Sequence, residues 1–281
     1  MRFIDGVTLM ELLPVDQNEI YSDFYHQYLK LKSAATGSGP VVDFDWVEHL
    51  IDSTDPYTSI YRRIVDDFYR EICNEISRFN EYYSDLEHWS KVLDVITDEQ
   101  AKWSCLYENV DPKVILCLLF PRAIAERFIF ATANLSHFAN KAKLGSGWVN
   151  DLKEAHKIDF KECNRVSKDW GEYNTLKLAL DEIGKSENGS PADDFRNAFA
   201  HRFPARIEYG HQIKIRFVKN DNPKNFSVEF GEQKPLTLAE VIDSSRAQIK
   251  FCLDALELFK ALINEQYSYL ISPKTQNPPS G

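Results

Sequence analysis

The chain has 281 residues, 43% of them hydrophobic and 13% aromatic, enough to bury a sizeable core as one large domain or as a core with a helical extension. Its formal net charge of -10 argues against a broadly basic nucleic-acid-binding surface and leaves room only for a local basic patch. The strongest apolar run, Val114 to Phe120, ends at Pro121, Arg122, Glu126 and Arg127, too short for a membrane-spanning helix. The opening residues Met1 to Gly6 lack the apolar region of a signal peptide, so a cytoplasmic location is expected.

The five cysteines, Cys73, Cys105, Cys117, Cys163 and Cys252, are scattered and show no metal-ligand spacing. Cys73, Cys117 and Cys252 read as small core residues and Cys163 as the candidate exposed thiol. No metal and no cofactor are expected.

In chain order, a first helix is predicted over Glu19 to Lys32, followed by a break at Thr36 to Pro40. Ile60, Ile64, Phe68, Ile72, Ile76 and Phe79 recur at spacings of three and four, predicting an amphipathic helix over Tyr57 to Tyr83. A second helical stretch covers Ser84 to Leu106, with Leu86, Trp89, Val92, Leu93 and Ile96 on its apolar side. Asp111-Pro112 reads as an N-cap followed by proline at the first helical position. The helix it opens is expected to kink at Pro121 and to stop at Gly145-Ser146-Gly147. Arg122 and Glu126 lie four apart on it.

A helix over Phe160 to Ile183, a polar loop over Lys185 to Ser190 and a short helix over Pro191 to Arg202 come next. Alternation at Ile207, Tyr209, Ile213, Ile215 and Phe217 predicts a strand over Arg206 to Lys219. With the turn Asn220 to Asn225 and the strand Phe226 to Phe230 it forms a hairpin. The capping box Thr237-Leu238-Ala239-Glu240 opens a last helix to about Tyr267, buried through Val241, Ile242, Ile249, Cys252, Leu256, Phe259 and Ile263. The polar, proline-bearing tail from Ser272 is expected to be disordered.

The short helix holds the candidate chemistry. It places Arg196, Asn197 and His201 within six residues. An arginine holds phosphate, a histidine moves protons near neutral pH, and an asparagine orients either. On a helix Asn197 and His201 stack on one face and Phe195 and Phe199 on another, while Arg196 lies about 140° round from His201 and must reach on its long stem. Pro204 ends the helix near His201, putting the imidazole by the negative end of the dipole, which favours its charged form. Arg206 and His211 share the Arg-to-His spacing, but on a strand that offset sends the two side chains to opposite faces. The bland reading of the motif is a C-terminal histidine cap with Arg196 in an ordinary ion pair.

Arg196-Asn197-Ala198-Phe199-Ala200-His201 resembles the Arg-Asn-x-x-x-His signature of the HEPN superfamily, helical domains many of which are metal-independent ribonucleases. The resemblance implies a mainly α fold: an up-and-down helical bundle over 111–270 with an inserted β-hairpin at about 206–230. An N-terminal helical extension over 1–110 and a tail over 271–281 complete the expected organisation. It implies a homodimer with two motifs facing one cleft, and RNA as substrate. His201 would act as acid or base, Arg196 on the phosphate and Asn197 in orientation, with Arg202 and Arg206 adding RNA contacts. Roles in toxin systems, phage defence or RNA processing are all compatible with it. Some HEPN toxins have a modifiable tyrosine two residues after the histidine; Phe203 stands there and has no hydroxyl. The alternative function is a non-catalytic dimeric HEPN-like scaffold. A small-molecule sensor with an aromatic pocket ranks third, because aromatics at helical spacing are more often core.

Overall fold

Tyrosine, rather than isoleucine, forms the first part of the buried seam of the longest helix. The computed structural model describes residues 15–34, 42–51, 53–184, 195, 198–199, 203–210, 212–219 and 226–272. Within it α2 (Pro56–Leu93) is one uninterrupted helix of 38 residues, where two helical stretches were expected. No glycine or proline lies between Tyr57 and Leu93, so nothing at Ser84 breaks the hydrogen-bond ladder. Its start is capped by Asp55, whose carboxylate accepts from Thr58 N at 2.8 Å and Thr58 Oγ1 at 2.7 Å. Thr58, Tyr61, Val65 and Tyr69 are buried, whereas Ile60 is 52% exposed. The seam thus lies one position round from the expected Ile60–Ile64–Phe68 line, joining it at Ile72, Ile76 and Phe79. Tyr61 and Tyr69 bury their rings because each hydroxyl finds an acceptor: Gln266 Oε1 at 2.6 Å and the Asp43 carbonyl at 2.6 Å.

The chain forms two compact units, each built from three separate stretches: Met1–Gly39, Glu81–Leu119 and Ser186–Arg246; and Pro40–Asn80, Phe120–Lys185 and Ala247–Gly281. In the first unit, α1 (Val15–Ala34) meets the later part of α2 around the buried carboxylate of Asp85. Tyr28 donates to Asp85 at 2.8 Å, and Lys32 and Lys113 approach it at 3.0 and 3.7 Å. The Tyr28 ring stacks on Trp89 at 4.7 Å. A carboxylate taken out of water needs such partners.

Helix α3 (Glu99–Cys105) passes through a five-residue π turn, Leu106–Val110, directly into α4 (Asp111–Leu144). This corrects the reading of Asp111-Pro112 as a helix start: Asp111 has helical φ and ψ of -50° and -48° and continues the run. Proline has no N–H for an i→i−4 bond, and the wider turn before it accommodates the mismatch. The sequence holds two Asp-Pro pairs, and only Asp55-Pro56 is a cap. Helix α4 runs through Pro121 and stops before Gly145, whose φ of 53° suits a residue without Cβ. Arg122 and Glu126 pair at 3.4 Å as their spacing predicts.

In the second unit the expected helix over Phe160 to Ile183 is two: α5 (Phe160–Ser167) and α6 (Tyr173–Glu182). The interruption is held from outside. Glu265 accepts from Gly171 N at 2.8 Å and Glu172 N at 3.0 Å, and buried Trp170 donates to Asn140 Oδ1 at 2.9 Å. Glu265 thereby satisfies amides that the helix break leaves without intrahelical acceptors.

Strands β1 (Gln212–Lys219) and β2 (Phe226–Gln233) pair antiparallel, with Ile215 opposite Phe230 and Phe217 opposite Val228. The first strand begins six residues later than expected, because Glu208 (φ 58°) and Gly210 (φ 95°) turn the backbone out of the extended region. Arg206 is therefore not on the strand, and the same-spacing argument for Arg206 and His211 loses its premise; His211 lies outside the described residues. The last helix, α7 (Leu238–Ile271), opens at its capping box: Thr237 N donates to Glu240 Oε2 at 2.8 Å and Glu240 N to Thr237 Oγ1 at 3.2 Å. All seven residues expected on its apolar side are buried. The Gly/Ser break at 36–40, the loop at 185–190, the turn at 220–225 and the tail from 273 lie outside the described residues.

Candidate functional site

Phe195 is the fixed point on which the motif segment hangs. It is helical and 2% exposed, four residues before Phe199, which is helical and 45% exposed. Their rings lie 6.0 Å apart at 18°, as expected for two aromatics sharing one helix face. Arg196, Asn197, His201 and Arg202, the residues that carry the expected chemistry, lie outside the described residues. Phe203, two positions after the histidine, is 82% exposed.

A second fixed point follows. Ala205 is buried, and the backbone beyond it is stitched to the entry of α7: Leu236 N donates to the Arg206 carbonyl at 2.8 Å and Glu208 N to the Leu236 carbonyl at 2.8 Å. Ile207 and Leu236 form a parallel bridge. The carboxylate of Glu208 accepts from Leu238 N, an amide that the first turn of α7 cannot satisfy internally. This bond, with the backbone pairing, holds Glu208 at positive φ despite its side chain. Arg206 is left exposed. It lies five positions after His201, so a fully extended chain would part the two Cα atoms by at most about 18 Å.

Asp111 supplies a titratable group that sequence reasoning read only as a cap. Burial pushes its carboxyl up to about 6, and the nearby positive charge of Arg206 opposes the rise. As a presumed N-cap, Asp111 would have been an ordinary ionised carboxylate on a helix amide. Its place inside the helical run, after the π turn, leaves it half-buried instead. The only sequence signal was the Asp-Pro pair, which pointed the other way. An acid that titrates near neutrality beside an exposed arginine is a combination able to take up or release a proton close to a bound anion.

Cys163 is 1% exposed, not the exposed thiol that was expected: it lies on the inner face of α5, and burial pushes its thiol up to about 11. The other four cysteines are also buried and unbridged. A thiol of this kind is a core filler rather than a nucleophile. Among the described residues, no cluster of three His, Cys, Asp or Glu side chains is placed to hold a metal ion, and no helix is long and apolar enough to cross a membrane. Set beside known proteins, the chain matches no family model, no curated protein and no solved structure.

Proposed function

We propose that the protein is a metal-independent endoribonuclease of the HEPN type. The observation that carries the reading is the Arg196-Asn197-x-x-x-His201 signature, held between two anchored points, buried Phe195 and the stitched segment Ala205 to Glu208. A mainly helical chain with long helices α2, α4 and α7 supports it, and the reading takes 111–270 as a HEPN-like up-and-down bundle with the β1–β2 pair inserted.

RNA carries its own nucleophile in the 2′-hydroxyl, so cleavage requires proton transfer and charge stabilisation. His201 of one copy takes the 2′-hydroxyl proton and His201 of the second copy protonates the leaving 5′-oxygen, while Arg196 holds the non-bridging phosphate oxygens and Asn197 orients the imidazole or the phosphate. Arg202 and Arg206 contact the RNA backbone. A homodimer brings two motifs to one cleft and gathers their arginines into a positive groove on an otherwise acidic protein. The products are a 2′,3′-cyclic phosphate and a 5′-hydroxyl. The full chain incubated with RNA and chelator is expected to yield these ends, and His201→Ala to slow cleavage by about 100-fold or more. Deoxyribose at the scissile position should protect the strand. Cleavage by His201→Ala at the parent rate would refute the assignment.

A second reading, a non-catalytic dimeric scaffold, is favoured by one observation. Ile213, Ile215, Val228 and Phe230 share one face of the β1–β2 pair, and Ile213 and Phe230 are 72% and 73% exposed. An apolar patch left this open is a signature of an interaction surface. Under this reading Ile215→Glu with Phe230→Glu abolishes self-association, and no variant of His201 has any effect on RNA.

A further inference from the structure

A pocket of about 420 Å³ opens in the second unit between the first turns of α2 and the last turns of α4, closed on one side by the chain after α4. The size falls within the range of small-molecule sites, roughly 300–1,000 Å³. Its walls are aromatic. Tyr57 stacks on Phe138 with ring centroids 4.3 Å apart, and Trp148 lies 5.0 Å from the ring of His137. Flat rings facing a cavity favour a flat guest.

The polar groups at the rim are few and fixed. The Lys141 ammonium lies 5.6 Å from the Tyr57 ring centroid and 5.4 Å from that of Trp148. Two rings therefore hold this charge in place without neutralising it. His137 is 9% exposed and its Nε2 lies 3.0 Å from Asn150 Oδ1. Asn134 also lines the pocket, its side-chain amide donating to the Phe130 carbonyl at 2.8 Å.

The sign of Lys141 selects the ligand. A cation would be repelled by the ammonium and would compete with it for the rings. An anion gains the ammonium as its partner. We propose that this pocket binds a small planar aromatic anion, its ring system against Tyr57, Phe138 and Trp148 and its phosphate or carboxylate on Lys141. The proposal does not rest on the ribonuclease reading, whose residues belong to the other unit.

The test is calorimetric titration of the full chain with two anions, adenosine monophosphate and indole-3-acetate, and with their neutral parents, adenosine and indole. At least one anion is expected to bind saturably with Kd below about 1 mM, and its neutral parent about tenfold more weakly. Lys141→Met, a change at an exposed position, should erase that preference while the neutral parent binds as before. Trp148→Leu should weaken both members of the pair alike. Saturation by the nucleotide alone assigns a nucleoside phosphate, and by the acid alone an aromatic carboxylate. No saturation by either anion near 1 mM, or a preference that survives Lys141→Met in a chain with an unchanged urea midpoint, would overturn the proposal.

Discussion

Asp111→Asn separates two accounts of the α3–α4 junction. If Asp111 were a helix cap, removing its charge would weaken the amide contact and cost stability. Its half-buried position predicts the reverse. Burial raises the folded carboxyl to about 6, against 3.8 for the free side chain. The folded state therefore holds a proton that the unfolded state has released, and stability falls as pH rises from about 3.8 through 6. A carboxyl moved from 3.8 to about 6 sets a ceiling of about 3 kcal/mol. Asp111 is only half-buried, so solvent screening brings the expected value to about 1–2 kcal/mol. The asparagine variant should match the parent near pH 4 and exceed it by that amount above pH 7. Urea midpoints of both proteins between pH 4 and 7.5 provide the assay. A difference that stays flat with pH, or an asparagine variant less stable above pH 7, would refute the reasoning.

Tyr61 donates to Gln266 Oε1 and Gln266 Nε2 to Ser136 Oγ at 2.9 Å, a relay in which all three residues are 0% exposed. Tyr61→Phe should cost about 1–3 kcal/mol by orphaning the amide oxygen, whereas adding Gln266→Leu and Ser136→Ala should recover part of the loss; strictly additive denaturation midpoints would contradict a coupled relay. Glu162 is buried under Arg165, with Arg165 Nη2 at 2.6 Å, and this hydrogen bond holds its carboxyl down at about 2. Glu162→Gln should cost about 1–3 kcal/mol at pH 7, and because the folded value is depressed, the cost should vanish as pH falls from about 4.5 toward 2; a pH-independent cost in the denaturation profile would exclude the ion pair as its source.

Local signals were legible wherever a residue acts on its own neighbours. The box Thr237 to Glu240 begins α7, Gly145 ends α4, and the spacing of Val241 through Ile263 marks a buried face, because capping bonds, backbone freedom and helical periodicity span four residues or fewer. The motif Arg196-Asn197-x-x-x-His201 is likewise a local pattern, and it is the sequence alone that carries the proposed chemistry. Tertiary structure decided what depends on partners distant in the chain. Glu265 breaks the helix at Gly171 from nearly a hundred positions away, and Gln266 and Asp43 turn Tyr61 and Tyr69 inward at the expense of Ile60. Asp55-Pro56 and Asp111-Pro112 are the same dipeptide. Only the folded chain separates them, because whether a carboxylate caps a helix or titrates near neutrality depends on the backbone before it and the water around it, and neither is written in the residues themselves.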